Sequence, residues 1–143
     1  MIRLAAAALL LSVASAPALA LAQPADDSRI VLTFETGART GRVMVALYDS
    51  AAAYDGGAGP RAALAISAAG DVVAEFENLP AGDYAVKAFH DVNGDGEMNT
   101  NPFGMPTEPF AFSNNAVGNM GPARWDRARF AVSGETAQTI SIR

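Results

Sequence analysis

Apolar side chains recur at every second residue in six stretches of this chain, and this rhythm limits the fold more than any other feature. In the first stretch, Ile30, Leu32 and Phe34 alternate with Val31 and Thr33. Successive side chains of a β-strand point to opposite faces, so this alternation predicts strands with one buried face. The six stretches cover residues 30–34, 42–47, 72–77, 84–89, 127–132 and 139–143.

An alanine-rich segment at residues 62–67 predicts a seventh strand. Glycine-containing turns separate the strands, and no long stretch after residue 22 keeps a helical period. Short strands without helices are typical of two antiparallel sheets packed face to face. The sequence therefore predicts an all-β fold, a single immunoglobulin-like antiparallel β-sandwich of about seven strands.

The first 22 residues have the pattern of a secretory signal peptide. Arg3 is their only charge, an apolar run follows, and a small-x-small cleavage site ends at Ala22. The run is too short to span a bilayer comfortably. We therefore expect cleavage after Ala22, a mature domain at residues 23–143, no stable membrane insertion afterwards and a periplasmic or secreted location.

The chain is acidic, with a formal net charge of −5, and it has no cysteine. A nucleic-acid partner would require a basic surface, so this class of partner is not expected. The acidity is concentrated in residues 71–108, which contain eight carboxylates and one lysine. A segment of this charge favours a cation.

Residues 91–125 interrupt the alternation and exceed the length of an ordinary connection. Large apolar side chains would be costly to leave in water, so we expect one long ordered loop folded over the sandwich. These side chains are Phe103, Met105, Phe110, Phe112, Met120 and Trp125.

The start of this loop resembles a calcium-binding loop. Oxygen-bearing residues alternate, and Gly96 occupies the sixth position, where such loops turn sharply. Calcium is accordingly the one cofactor expected. The predicted ligands are the side chains of Asp91, Asn93, Asp95 and Asn99, the carbonyl of Glu97, and Asn101 as a further ligand.

The pattern also departs from a calcium-binding helix–loop–helix. Its twelfth position, normally a bidentate glutamate, is Pro102, and no helix flanks the loop. Asn101 or Glu108 could complete the coordination. The alternative is an Asx-rich turn whose side chains bond only their own backbone.

Catalytic arrangements have less support. His90, the only histidine, continues the inward face of its strand, and Asp91 points to the opposite face. Ser113 lies in no nucleophile-turn motif. A hydrolase could instead use a pair of carboxylates that includes Glu108, but this requires a particular distance between the two groups, which a sequence does not give. Lys87, the only lysine, is expected on the outward face and exposed to solvent.

Two motifs resemble known proteins. Leu79-Pro80-Ala81-Gly82-Asp83-Tyr84-Ala85-Val86 resembles a hairpin of transthyretin-like and collagen-adhesin B-type sandwich modules. This motif, with the loop segments and the closing strand, resembles the secreted bacterial family catalogued as domain of unknown function 2141. The resemblance implies an exported, transthyretin-like β-sandwich and no established activity. The loop segments are His90-Asp91, Asn93-Gly94-Asp95-Gly96, Thr100-Asn101, Gly104-Met105-Pro106-Thr107-Glu108 and Phe112-Ser113-Asn114-Asn115, and the closing strand is Trp125-Asp126-Arg127-Ala128-Arg129-Phe130.

Three functions follow as hypotheses. The first is an exported, non-enzymatic protein that binds a cell-envelope or extracellular ligand or partner through Asp91–Asn101 and the following loop. The second is a hydrolase with an acidic or His90-centred site beneath that loop. The third is a purely structural envelope protein whose loop caps the core.

Overall fold

Strands form where the alternation predicts them. The computed structural model describes residues 27–56 and 58–143, so the predicted signal peptide and its cleavage site lie outside the described residues. The strands are β1 (Ser28–Glu35), β2 (Arg42–Tyr48), β3 (Ala62–Ser67), β4 (Val72–Leu79), β5 (Gly82–Asp91), β6 (Phe110–Phe112), β7 (Phe130–Val132) and β8 (Glu135–Ser141).

The strands form two sheets, which confirms the predicted all-β sandwich. One sheet has the order β4-β1-β8, and the other has the order β3-β2-β5-β6. Strand β7 pairs with the first residues of β5 and is the fifth strand of this second sheet. Pairing is antiparallel except between β1 and β8, which run parallel.

Apolar side chains from the facing sides of the two sheets make the core. Ile30 and Leu32 of β1, Val43 and Leu47 of β2, and Val86 of β5 are fully buried. Burying one such side chain stabilises the fold by about 1.5–3 kcal/mol relative to leaving it in water. The inward positions of the alternating stretches therefore hold the two sheets together.

The outer faces of the two sheets differ in chemistry. On the three-stranded sheet, Arg29 forms ion pairs with Glu75, Glu77 and Glu135, as on an ordinary solvated face. Most of the outer positions of the five-stranded sheet are apolar. They include Met44, Ala46, Tyr48, Ala63, Ala65, Ala85, Phe89, Phe110 and Phe112.

A second apolar cluster covers part of this apolar outer face. Tyr54, in the short helix α1 (Ala51–Tyr54), packs with Ala85 and Phe112. Trp125, in the short helix α2 (Trp125–Ala128), lies 5.8 Å from Tyr54 between ring centroids. No helix in the described part of the chain is long and apolar enough to cross a membrane.

Two sequence predictions need correction. The stretch at residues 127–132 is a strand only from Phe130, because a helical turn at Trp125–Ala128 places Trp125 and the buried Ala128 on one side. The segment at residues 91–125 is not one continuous loop, because β6 lies within it and pairs with β5.

A 3-10 turn at Ser113–Asn115 joins the two sheets. The Ser113 hydroxyl accepts a hydrogen bond from the backbone N–H of Val86. Val86 lies between the part of β5 that pairs with β7 and the part that pairs with β6, so none of the described strands supplies an acceptor there. The Asn115 amide pairs with the edge of β8, donating to the Thr139 carbonyl and accepting from the Ser141 backbone. These side chains therefore replace missing strand contacts.

Replacing Ser113 tests this role. Ser113→Ala leaves the buried Val86 N–H without its acceptor, and we expect the free energy of unfolding to fall by about 2 kcal/mol. Urea denaturation measures the change. The control is Ser67→Ala, whose exposed hydroxyl accepts one bond from Ala69. Equal effects of the two variants would contradict the assignment.

Candidate functional site

The long loop begins at a buried carboxylate. Asp91 is the last residue of β5 and is fully buried. Its Oδ1 accepts hydrogen bonds from the backbone N–H groups of Gly94 (2.7 Å) and Asp95 (3.1 Å), and its Oδ2 accepts one from Gly96 (2.9 Å). Gly94 and Gly96 have φ of 78° and 84°, a conformation that glycine adopts without steric cost. Asp91 therefore folds the loop into a tight turn around its carboxylate.

Asp95 is the centre of a side-chain network above this turn. Its Oδ2 accepts hydrogen bonds from the amides of Asn93 (3.1 Å) and Asn99 (2.9 Å), and its Oδ1 accepts one from the Glu97 backbone (2.9 Å). These bonds, that from Asn99 foremost, lower the pKa of Asp95 below its ordinary value. Asp95 therefore keeps its negative charge in more acidic solution than an ordinary aspartate does.

Glu108 joins the two ends of the turn. Its buried carboxylate accepts hydrogen bonds from the backbone N–H groups of Val92 (3.0 Å) and Asn99 (3.1 Å). Both its oxygens are therefore used to hold backbone. Glu108 acts as a strap across the loop.

The structure brings together the predicted calcium ligands Asp91, Asn93, Asp95 and Asn99 in one hydrogen-bonded network, which Asp91 joins through the Asp95 backbone N–H. Glu97, predicted to bind through its carbonyl, joins the same network by donating its backbone N–H to Asp95. Asn101 lies in the next turn, where its Oδ1 accepts bonds from the backbones of Phe103 and Met105.

The donor set of this network suits a hard cation such as calcium. Two carboxylates and two side-chain amides supply oxygen, which is the ligand atom that calcium prefers. Among the described residues no three carboxylates or imidazoles converge, so amide and backbone oxygens would have to complete the shell. The amide of Asn99 now directs its NH₂ group at Asp95, and half a turn of that amide would present its oxygen instead.

A hairpin follows the network and projects apolar side chains. Asn99 and Thr107 pair through backbone and hydroxyl bonds, and Asn101 closes the tip. Phe103 and Met105 on this hairpin are 89% and 64% exposed. The hydrogen bonds of Asp91 and Glu108 therefore hold the base of an arm with an apolar tip.

This arm borders a large apolar groove that sequence reasoning did not identify. The groove has a volume of about 1100 Å³ and lies on the uncovered part of the five-stranded sheet's outer face. Its walls include four of the seven phenylalanines of the chain: Phe89, Phe103, Phe110 and Phe112.

Methionine marks the groove most clearly. Of the five methionines, Met1 lies outside the described residues, and Met44, Met98, Met105 and Met120 all line the groove. Met98, Met105 and Met120 fall in the loop predicted from the sequence, whereas Met44 lies on β2. Their convergence depends on how the loop folds back over the sheet.

Lys87 lies at the floor of the groove, in contrast to the solvent exposure expected from the sequence. It points outward from β5 as predicted but is half-buried. Its ammonium donates to the Tyr54 carbonyl and lies 4.2 Å from the Tyr54 ring centroid and 5.1 Å from that of Tyr48. Burial lowers the pKa of Lys87, because the charged form loses hydration.

His90 and Ser113 make structural contacts. The buried His90 ring bonds through Nε2 to the Thr40 carbonyl at 2.7 Å. The Ser113 hydroxyl donates to the Ala128 carbonyl at 2.6 Å. Each side chain is therefore occupied by backbone partners.

Gly41 packs closely against the backbone at the start of the loop. It has φ of +72°, and a Cβ placed there would lie 2.0 Å from the Asp91 carbonyl oxygen. Gly41→Ala should lower the free energy of unfolding by more than about 2 kcal/mol, through strain and displacement of the Asp91–Val92 peptide. Gly37→Ala is the control, since its Cβ would meet nothing within 4 Å. Thermal melts that are equal for both variants would contradict this close approach.

Comparison with known proteins identifies the family. A family model described as an uncharacterized protein conserved in bacteria (DUF2141) matches residues 35–141. No curated protein and no solved structure matches the chain. The matched range contains the Asp91 turn, the hairpin and every residue that lines the groove. Because the match covers about three quarters of the chain, as the motif resemblance predicted, the chain belongs to the DUF2141 family of bacterial proteins.

Proposed function

We propose that this chain is an exported, non-enzymatic binding protein that holds a cell-envelope or extracellular ligand in the apolar groove. The observation that carries the proposal is the groove itself, an apolar hollow bordered by exposed large side chains. Pockets that bind small molecules typically measure about 300–1000 Å³ and are mostly apolar. At about 1100 Å³, the groove is large enough for such a ligand.

The rim of the groove supports binding over mere protection of the core. Phe103 and Met105 are mostly exposed, and Met120 is fully exposed at φ of 56°. A loop that only capped the core would bury such side chains. Contiguous exposed apolar surface on a folded protein marks an interaction site more often than it marks an ordinary surface.

Calcium has a defined place in this proposal. Bound by Asp91, Asn93, Asp95 and Asn99, it replaces the amide contacts to Asp95 and fixes the base of the hairpin. The ion would then act on ligand binding through the position of Phe103 and Met105. The distance along the chain is short, since Asn99 both joins the network and pairs with Thr107.

The hydrolase hypothesis has less support. Its proposed centre, His90, bonds to a backbone carbonyl, and Glu108 uses both oxygens to hold backbone N–H groups. A catalytic base needs its acceptor atom directed at a substrate. The contacts of both residues favour structural roles.

Calcium binding is tested with an exposed ligand residue. Asp95→Asn removes the charge at the centre of the network without emptying a buried position. At millimolar calcium we expect the melting temperature of the unmodified protein to rise by about 5 °C or more and that of Asp95→Asn to change little. Isothermal titration calorimetry should give the same ranking.

The matched control for this experiment is Glu97→Gln. It removes the same charge from the same loop, but only the Glu97 carbonyl is a predicted ligand, so the calcium response should remain. Absence of both heat and thermal shift in the unmodified protein at millimolar calcium would refute the calcium part of the proposal.

The groove is tested with N-phenyl-1-naphthylamine, a neutral apolar dye that fluoresces when shielded from water. The double variant Phe103→Ser, Met105→Ser removes apolar wall at the rim and should weaken dye binding roughly tenfold. The melting temperature should stay nearly constant, because both side chains are already exposed.

Val117→Ser serves as the control for the dye experiment. Val117 is 83% exposed in the same part of the chain but does not line the groove. Dye binding should be unchanged in this variant. Failure of the unmodified protein to bind the dye would overturn the proposed function.

A further inference from the structure

We infer that the groove takes an amphipathic monocarboxylate with an alkyl chain, that is, a free fatty acid, with its carboxylate at Lys87. This inference rests on the proposed function and names the ligand class. Among the residues that line the groove, Lys87 alone carries a charge. A long apolar hollow with one cation at its floor is complementary to a molecule with one anionic end.

The Lys87 ammonium has hydrogen-bond donors left for an anion. An ammonium has three hydrogen-bond donors, and the Tyr54 carbonyl accepts from one of them. The Tyr48 and Tyr54 rings hold the ammonium in place by cation–π contact. The remaining donors are available to a carboxylate entering along the groove.

No carboxylate lies within ion-pair distance of the Lys87 ammonium among the described residues. The ion pairs there all involve Arg29, Arg61 or Arg129. Asp55 interacts with Lys87 only electrostatically, without an ion-pair contact. A half-buried cation without an ion-pair partner is stabilised by an incoming anion, and a charge-assisted bond in such a place is stronger than a neutral one.

The walls favour an alkyl chain over a rigid ring system. Met44, Met98, Met105 and Met120 contribute unbranched, flexible side chains to the groove. Methionine surfaces rearrange around ligands of varied shape, and so accept a chain with many conformations. The pairing across the sheet also sets a direction: Lys87 lies opposite Ala46 and Phe112, while Met44 and Phe110 flank Phe89 two residues further along β5. The alkyl chain accordingly extends from Lys87 past Phe89 toward the hairpin.

The experiment compares three ligands of equal chain length on the protein purified after expression of the full 143-residue chain in an exporting host. Dodecanoate, dodecanol and dodecylamine are titrated as competitors of bound N-phenyl-1-naphthylamine. We expect dodecanoate to compete at about one tenth of the concentration of dodecanol, and dodecylamine to be weakest. Equal competition by the acid and the alcohol would overturn the inference.

Variants at Lys87 locate the preference. Lys87→Met should abolish the acid preference, so that dodecanoate and dodecanol displace the dye at about equal concentrations, and Lys87→Arg should retain it. Arg39→Gln removes the same charge from an exposed residue outside the groove and should change nothing. An acid preference that survives in Lys87→Met would overturn the inference. If Lys87→Met fails to fold, the three-ligand series on the unmodified protein still decides.

Failures of the two proposals are distinguishable. A protein that does not bind the dye refutes the proposed function, whereas dye binding without acid preference refutes only the fatty-acid inference. Two other occupants are also tested. A stable dimer in light scattering that excludes the dye would assign the groove to a second copy. Co-sedimentation with phosphatidylglycerol vesicles, with no response to free dodecanoate, would assign it to a membrane surface. Either result would overturn the inference.

Discussion

The five-stranded sheet is apolar on both faces, and the rest of the structure depends on this property. Its inner face packs against the three-stranded sheet, which gives an ordinary sandwich core. Its outer face has no second sheet to cover it. The chain covers part of that face with Tyr54, Trp125 and their neighbours, and an uncovered part forms the groove. The outer face of the three-stranded sheet carries the ion pairs of Arg29 and needs no such cover, because charged side chains can stay in contact with water.

A polar turn controls how the chain returns to this apolar face. Asp91 ends β5 and at once turns the backbone through three N–H groups, while Glu108 ties the far end of the same segment back to it. The hairpin between them is positioned by these bonds and not by burial of its own tip. This explains how Phe103 can be ordered and exposed together, a combination that apolar packing alone would not produce. The side chains that resemble a cation site and those of the hairpin that border the groove thus lie on one segment, which the same hydrogen bonds hold in place.

Most of the sandwich could be predicted from the sequence, because a period of two encodes both the strand and its buried face. Ile30, Val43 and Val86 are buried where the alternation places them. Residues 125–128 were the misplaced element. Ala128 lies two residues before Phe130, so the alternation predicted both on the same face of one strand. In the structure, the contact of Trp125 with Tyr54 favours a helical turn there. Of the alternating residues Asp91, Asn93 and Asp95, the last two meet through their side chains, whereas the Asp91 carboxylate accepts hydrogen bonds from backbone only. The groove could not be foreseen, since it combines Met44 with Met105 and Met120 through a chain reversal that no local pattern specifies. Lys87 shows the same limit: parity predicted its direction, but only the packing of Tyr48 and Tyr54 determines its burial.

The placement of the methionines has a consequence for the chemistry of the folded protein. The chain has no cysteine, and every described thioether lies along one surface, so its oxidisable sulfur is collected in a single place. Oxidation of a methionine to its sulfoxide turns a flexible apolar group into a polar one. Such damage would change the character of the groove walls and leave the sandwich core untouched. A ligand that filled the groove would shield these sulfur atoms, and their rate of oxidation would then report how much of the protein is occupied.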